Sequence, residues 1–210
     1  MRRTFISFIA GAAFIGFAGA AEAQTIGFKL GASISKVTTE QEDEGIDSRT
    51  AFSGGGFMRF GMGRIGIQPE LMFMGKGYAI NDVSGDDDLE LKLDYVEIPV
   101  LVHLPLSMGT TFSPYVFGGP AFAFEINCEA TNGSVSFDCD EDGTGIDRKK
   151  TDIGLTAGGG LAFAMGPGAL LVEGRYTFGM TNINQSGLGE LKNRSAFIAA
   201  GYSIPLGRTY

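Results

Sequence analysis

Proton-transfer chemistry in this chain would have to start from His103, Glu70 or Glu97. His103 is the only histidine among the 210 residues, so any histidine base must be this one. Nucleophilic catalysis sets such a base beside a serine, cysteine or carboxylate. His103 instead closes the apolar stretch VLVHLPL, at the short-turn end of its segment and away from every long polar loop. Glu70 and Glu97 could divide acid and base roles only if their surroundings drove their pKa values apart. With arginines expected nearby and no cleft around them, they read as structural. No catalytic residue is assigned and no enzyme activity is expected.

Metal chemistry has one candidate. In DCDEDG, Asp138, Asp140 and Asp142 precede Gly143, the opening of a calcium loop in which alternate carboxylates converge on one hard cation. The twelfth position, where a bidentate glutamate is needed, is Lys149, and no helices flank the loop. This supports at most a weak Ca2+ site, and the plain alternative is a hydrophilic loop kept solvated by its charge. No other cofactor is expected. The only two cysteines, Cys128 and Cys139, bracket the same loop. Behind an export signal they read as a disulfide, because an oxidising compartment lets such a pair close. Zinc is the rival, but two thiols without a nearby histidine are half a site.

The export signal is the N-terminus itself. Arg2 and Arg3 precede a glycine-rich apolar run that closes on Ala21-Glu22-Ala23, the small-x-small pattern of signal-peptidase cleavage. The expectation is a signal peptide over 1–23, cleaved after Ala23, and one domain over 24–210; an N-terminal membrane anchor is the alternative that the short run disfavours. Cleavage removes Arg2, Arg3 and Glu22 and moves the formal net charge from -8 to -9. So acidic a chain lacks the basic stripe that nucleic-acid binding requires. After Gln24 no stretch approaches the roughly 18 apolar residues of a transmembrane helix.

What must position these residues is a set of strands. Apolar residues alternate with period two over eight stretches, roughly 25–35, 50–61, 65–78, 91–104, 111–126, 151–165, 169–180 and 194–206. Each is long enough for a tilted strand to cross hydrocarbon. Their connections alternate too. Met62-Gly63-Arg64, PLSMGT and Gly166-Pro167-Gly168 are short, whereas KVTTEQEDEGIDS, INDVSGDDDLE, the cysteine loop over 127–150 and NINQSGLGELKN are long and polar. Short turns on one rim and long loops on the other is the arrangement of bacterial outer-membrane barrels, with turns in the periplasm and loops outside. The fold class expected is therefore all-β: an eight-stranded antiparallel up-and-down transmembrane β-barrel.

Alternation assigns the faces. Ile26, Phe28, Leu30, Ala32 and Ile34 share one face of the first strand and leave Lys29 on the other. Ile67, Leu71 and Phe73 oppose Gln68, Glu70, Met72 and Lys76; Leu170, Val172, Tyr176 and Phe178 oppose Glu173, Arg175 and Thr177. Val96, Ile98, Val100, Val102 and Leu104 face lipid, with Tyr95, Glu97, Pro99 and His103 inward. A charge on the lipid face near midplane costs a few kcal/mol, roughly 2–4, so the segregation is physically enforced. The inward charges are then Lys29, Arg59, Glu70, Glu97, Glu173 and Arg175, three of each sign. An eight-stranded barrel is just wide enough for side chains to fill, and these six are expected to pair as a plug that closes the lumen. Pro69, Pro99 and Pro120 each demand a bulge or a lost ladder bond.

Three pieces resemble the PorT-like outer-membrane β-barrel family, often called porin family proteins: LDYVEIPVLVHL, with its tyrosine and Glu-Ile-Pro; SPYVFGGPAFAF; and DIGLTAGGGLAF. The resemblance covers nearly all of 24–210 and implies an eight-stranded barrel in the outer membrane of a Gram-negative bacterium, without implying an open pore. The expected function is that of a closed, monomeric barrel with a structural or surface-interaction, adhesive or binding, role through acidic outer loops. A small passive channel for solutes is the first alternative, and a soluble lipocalin-like ligand-binding barrel the second. The partners expected are outer-membrane lipids, lipopolysaccharide (the acidic rim bridging to it through divalent cations) and the barrel assembly machinery, with no nucleic acid.

Overall fold

The structure, a computed structural model, describes residues 23–39, 46–62, 64–80, 89–106, 112–132, 135–139, 149–181 and 191–206. Nine strands run in chain order: β1 (Ala23–Thr39), β2 (Ile46–Met62), β3 (Ile65–Ile80), β4 (Leu89–Pro105), β5 (Phe112–Asn132), β6 (Val135–Asp138), β7 (Thr151–Met165), β8 (Gly168–Gly179) and β9 (Leu191–Pro205). All neighbours pair antiparallel. β9 returns to pair with β1, and β4 with β5 completes the ring, so eight long strands close a barrel. The ninth, β6, is a four-residue strand that folds back on the end of β5 in what the sequence read as loop.

Several strands outrun the apolar alternation that signals them. β1 continues to Thr39, β2 begins at Ile46 and β5 runs to Asn132. Backbone pairing needs no apolar side chain, so the ladder persists beyond the point where the outward face turns polar. At the other rim, Met165 pairs with Gly168 across Gly166-Pro167. Gly166 has φ +60°, and with proline second this is the glycine-first hairpin turn whose twist matches its strands.

The burial pattern of β4 is strictly alternating, Tyr95, Glu97, Pro99, Leu101 and His103 buried against exposed Ile98, Val100, Val102 and Leu104. The same holds in β1, where Phe28 is 52% exposed and its neighbour Lys29 0%. An apolar exterior around a polar interior is the reverse of what a soluble lipocalin-like barrel needs, and that alternative is set aside.

The prolines interrupt the ladder without shifting its register. Pairing of β3 with β4 lapses between Pro69↔Val100 and Met72↔Glu97, where Glu70 comes opposite Pro99. Pairing of β4 with β5 lapses between Pro99↔Ala121 and Val102↔Gly118, where Val100 comes opposite Pro120. Register is unchanged across both gaps. The bulges lie elsewhere, at Asp94/Tyr95 and between Ser48 and Ser53, towards the long-loop rim.

Candidate functional site

The lumen holds a network built by parity: each member sits on the inward face of its strand. Lys29 of β1 donates from Nζ to Glu70 Oε1 at 2.6 Å and to Glu173 Oε1 at 2.7 Å. Arg175 donates from Nη1 to Glu70 Oε2 at 2.6 Å, and Gln68 from Nε2 to Glu70 Oε1 at 2.6 Å. The Tyr115 hydroxyl donates to Glu173 Oε2 at 3.1 Å. All of these side chains are buried. A separate pair joins Lys76 Nζ to Glu97 Oε2 at 2.8 Å. Small neighbours make the room. Lys29 lies between Gly55 and Gly201 on the flanking strands, and a Cβ on Gly201 would come within 3.2 Å of Lys29 Cγ. A Cβ on Gly158 would stand 2.7 Å from Arg175 Cβ.

Five of the six expected lumen charges are thus ion-paired, and the sixth is a correction. Arg59 forms no ion pair among the described residues. Its Nε donates to Gln68 Oε1 at 2.7 Å, and its guanidinium lies over the Phe57 and Tyr115 rings. It is half-buried and lines a cavity of about 310 Å³ at the short-turn rim, with Thr25, Pro167, Leu171 and Ser203. Lys76 takes its place, which keeps the buried pairs at three cations against three carboxylates. Lys76 shares the parity of Gln68, Glu70 and Met72, so its inward face was readable; its partner was not.

Apolar layers flank the ion pairs. Phe57, Leu101, Tyr115, Phe117 and Leu171 form one cluster. Met72, Met74, Leu91, Leu93, Tyr95 and Phe197 form another, which also takes in Cys128 and Cys139, with Phe137 of β6 packed against it. The two cysteines are disulfide-bonded, with Cα atoms 5.5 Å apart, and fasten the β5–β6 hairpin over the lumen. Asp152, buried and outside the expected set, accepts from Asn193 Nδ2 at 3.1 Å. Outside the membrane-crossing part, Lys92 Nζ lies 3.3 Å from Glu129 Oε1, and that hydrogen bond holds the Glu129 carboxyl below the usual range.

His103 is inward and buried at the short-turn end, its ring 4.7 Å from that of Tyr115. Its Nε2 has no hydrogen-bond partner among the described residues. Glu70 is ion-paired with Lys29 and Arg175, and Glu97 with Lys76. Of the calcium candidates, Asp138 ends β6, whereas Asp140 and Asp142 lie outside the described residues. Among the described residues, no three His, Cys, Asp or Glu side chains group as metal ligands.

A family model described as outer membrane protein beta-barrel domain matches residues 22–185. That match concerns the barrel domain as a whole and does not single out the PorT-like group. No curated protein matches the sequence. Among solved structures, the chain is similar to Neisserial surface protein A (TM-score 0.52, 15% identity, 85% of this chain and 96% of that one). It is also similar to the outer membrane protein OprG from Pseudomonas aeruginosa (TM-score 0.51, 13% identity, 89% and 98%). At such identities the likeness is one of fold.

Proposed function

The chain belongs to the outer membrane protein beta-barrel domain family, and from that premise we propose that it is a non-conducting barrel whose work is done at the cell surface by its acidic loops. The observation that carries this is the filled lumen: three buried cations matched by three buried carboxylates, with apolar layers on both sides. An ion crossing it would have to break charge-assisted bonds in a medium that screens poorly, which is costly. The hairpin tied by Cys128–Cys139 adds a lid on the long-loop side. Among the described residues the ring of eight long strands is closed, and only the four-residue β6 leaves an edge, too short to template another chain, which supports a monomer.

The acidic runs EQEDEG, SGDDD and DCDEDG all fall in long connections, on the rim that outer-membrane barrels turn outward. They favour a binding role towards cationic surfaces or bridging divalent cations. Export by a signal peptide over 1–23 and insertion by the assembly machinery complete the proposal. Planar-bilayer recording tests it. The purified barrel is expected to give no steady conductance, and reproducible openings in the unmodified protein would replace this reading with the small channel.

A further inference from the structure

The long-loop rim carries its outward charges unevenly. On β1 the lipid-facing series Ile26, Phe28, Leu30, Ala32, Ile34 ends at exposed Lys36. On β9 the series Ile198, Ala196 ends at Arg194, followed by Lys192 on the same face. Lys36 and Arg194 are direct cross-strand partners. Two cations so placed repel each other, and among the described residues neither is ion-paired to a carboxylate. The Arg194 guanidinium sits 5.9 Å from the centroid of Phe178, itself on the lipid face and 45% exposed. On the far wall the same rim is of mixed sign: Lys92 pairs with Glu129, and Asp94 accepts from Asn127.

A cationic seam directly above an apolar belt, in an acidic chain, fits a ligand that is anionic at its head and apolar below. We propose that the β1–β9 seam seats a phosphate-bearing glycolipid of the outer leaflet. The phosphate lies between Lys36 and Arg194 with Lys192 beside them, and the acyl chains run along Ile34, Phe178 and Ile198. This inference rests on the outer-membrane reading. Phosphate relieves the repulsion that the cross-strand pair otherwise carries, and forked guanidinium donors suit its oxygens. The site differs from the loops proposed for surface binding: it is a fixed strand pair that faces sideways into the membrane.

The test uses the full barrel in detergent micelles, with two fluorescent probes, lipid A bearing both phosphates and the same lipid dephosphorylated. The unmodified protein is expected to retain the phosphorylated lipid roughly tenfold more tightly or better, since each basic residue near an anionic lipid surface contributes measurably. The double variant Lys36→Gln, Arg194→Gln is expected to lose that preference, and Lys92→Gln to keep it. Equal retention of both lipids by the unmodified barrel, or an undiminished preference in the double variant, overturns the site. A preference that emerges only after Glu40, Glu42, Asp43 and Glu44 are neutralised gives the seam to the chain's own acidic loop and likewise overturns it. Heat-modifiable gel migration keeps the premise separate: a folded barrel without phosphate preference defeats the seam alone, whereas a chain that never forms a detergent-resistant barrel defeats the outer-membrane reading.

Discussion

Lys29 Nζ lies 2.6 Å from Glu70 Oε1, reaching from β1 past β2 to β3, and its second bond, to Glu173, reaches past β9 to β8. One ammonium therefore ties together strands two places away on either side, across the interior. Among the described residues, Lys29→Ala leaves Glu173 with the Tyr115 hydroxyl as its hydrogen-bond partner, while Glu70 keeps Arg175 and Gln68. Removing one partner of a buried pair costs about 3–5 kcal/mol, because the remaining charge stays desolvated. The urea midpoint of the barrel in lipid should fall accordingly. The double variant Lys29→Met, Glu173→Leu should lose less than Lys29→Ala alone, and the opposite order would show that the pair is not desolvated as described.

The face assignment predicts a contrast between two arginines. Val100 is 38% exposed on the outward face of β4, whereas Ser136 lies in the β5–β6 hairpin, its hydroxyl 3.1 Å from that of Thr131. Val100→Arg places a charge in hydrocarbon and should cost roughly 2–4 kcal/mol. Ser136→Arg, on the solvated hairpin, should stay within about 0.5 kcal/mol of the parent. Folding yield into lipid vesicles is the measurement, and equal yields would mean that the faces are reversed.

Much of this was legible because period two is an unambiguous signal once strands are long. Lys29, Glu70, Glu97, Glu173 and Arg175 were assigned inward by parity alone, and all five are buried and ion-paired. Parity gives the face, however, and not the height. Which inward charges meet depends on the stagger between neighbouring strands, and that is set by connections whose geometry local pattern does not encode. Parity therefore puts Arg59 inward without showing that its partner is Gln68, and puts Lys76 inward without showing that Glu97 lies 2.8 Å away. β6 is not legible in the sequence because Val135–Asp138 is too short for alternation to distinguish from loop. The prolines were readable as interruptions, but choosing a lapse in pairing over a bulge needed Pro99 to be seen opposite Glu70 and Pro120 opposite Val100.

Glu129 carries a pH signature outside the membrane. The hydrogen bond and charge of Lys92, at 3.3 Å, hold its carboxyl below the ordinary value. A group with a depressed folded pKa adds stability above its unfolded pKa and loses it as pH falls through the folded one. Lys92→Gln should return the Glu129 titration, followed by carboxyl carbon NMR, towards the ordinary glutamate value. A curve unmoved by the substitution would show that Lys92 is not the cause. The Glu129 side chain is 41% exposed, so solvent screens the pair and the stability consequence is small.

The hairpin lid should depend on its disulfide. Cys128 and Cys139 are 11 residues apart, and closing so short a loop contributes roughly 2–3 kcal/mol if chain entropy dominates. That contribution concerns the hairpin more than the ring, because β5 pairs with β4 and β7 along most of its length, while β6 has only the four pairs Glu129↔Asp138 to Asn132↔Val135. The double variant Cys128→Ser, Cys139→Ser should accordingly keep a closed barrel with nearly the parent urea midpoint, yet lose protection locally. Amide exchange at Phe137 and Ala130 should accelerate by one to two orders of magnitude, about the factor that 2–3 kcal/mol implies. Exchange along β8 and β9 should stay unchanged. If those strands loosened equally, the disulfide would be holding the barrel as a whole, and the lid would not be the separable element that the sparse β6 pairing indicates.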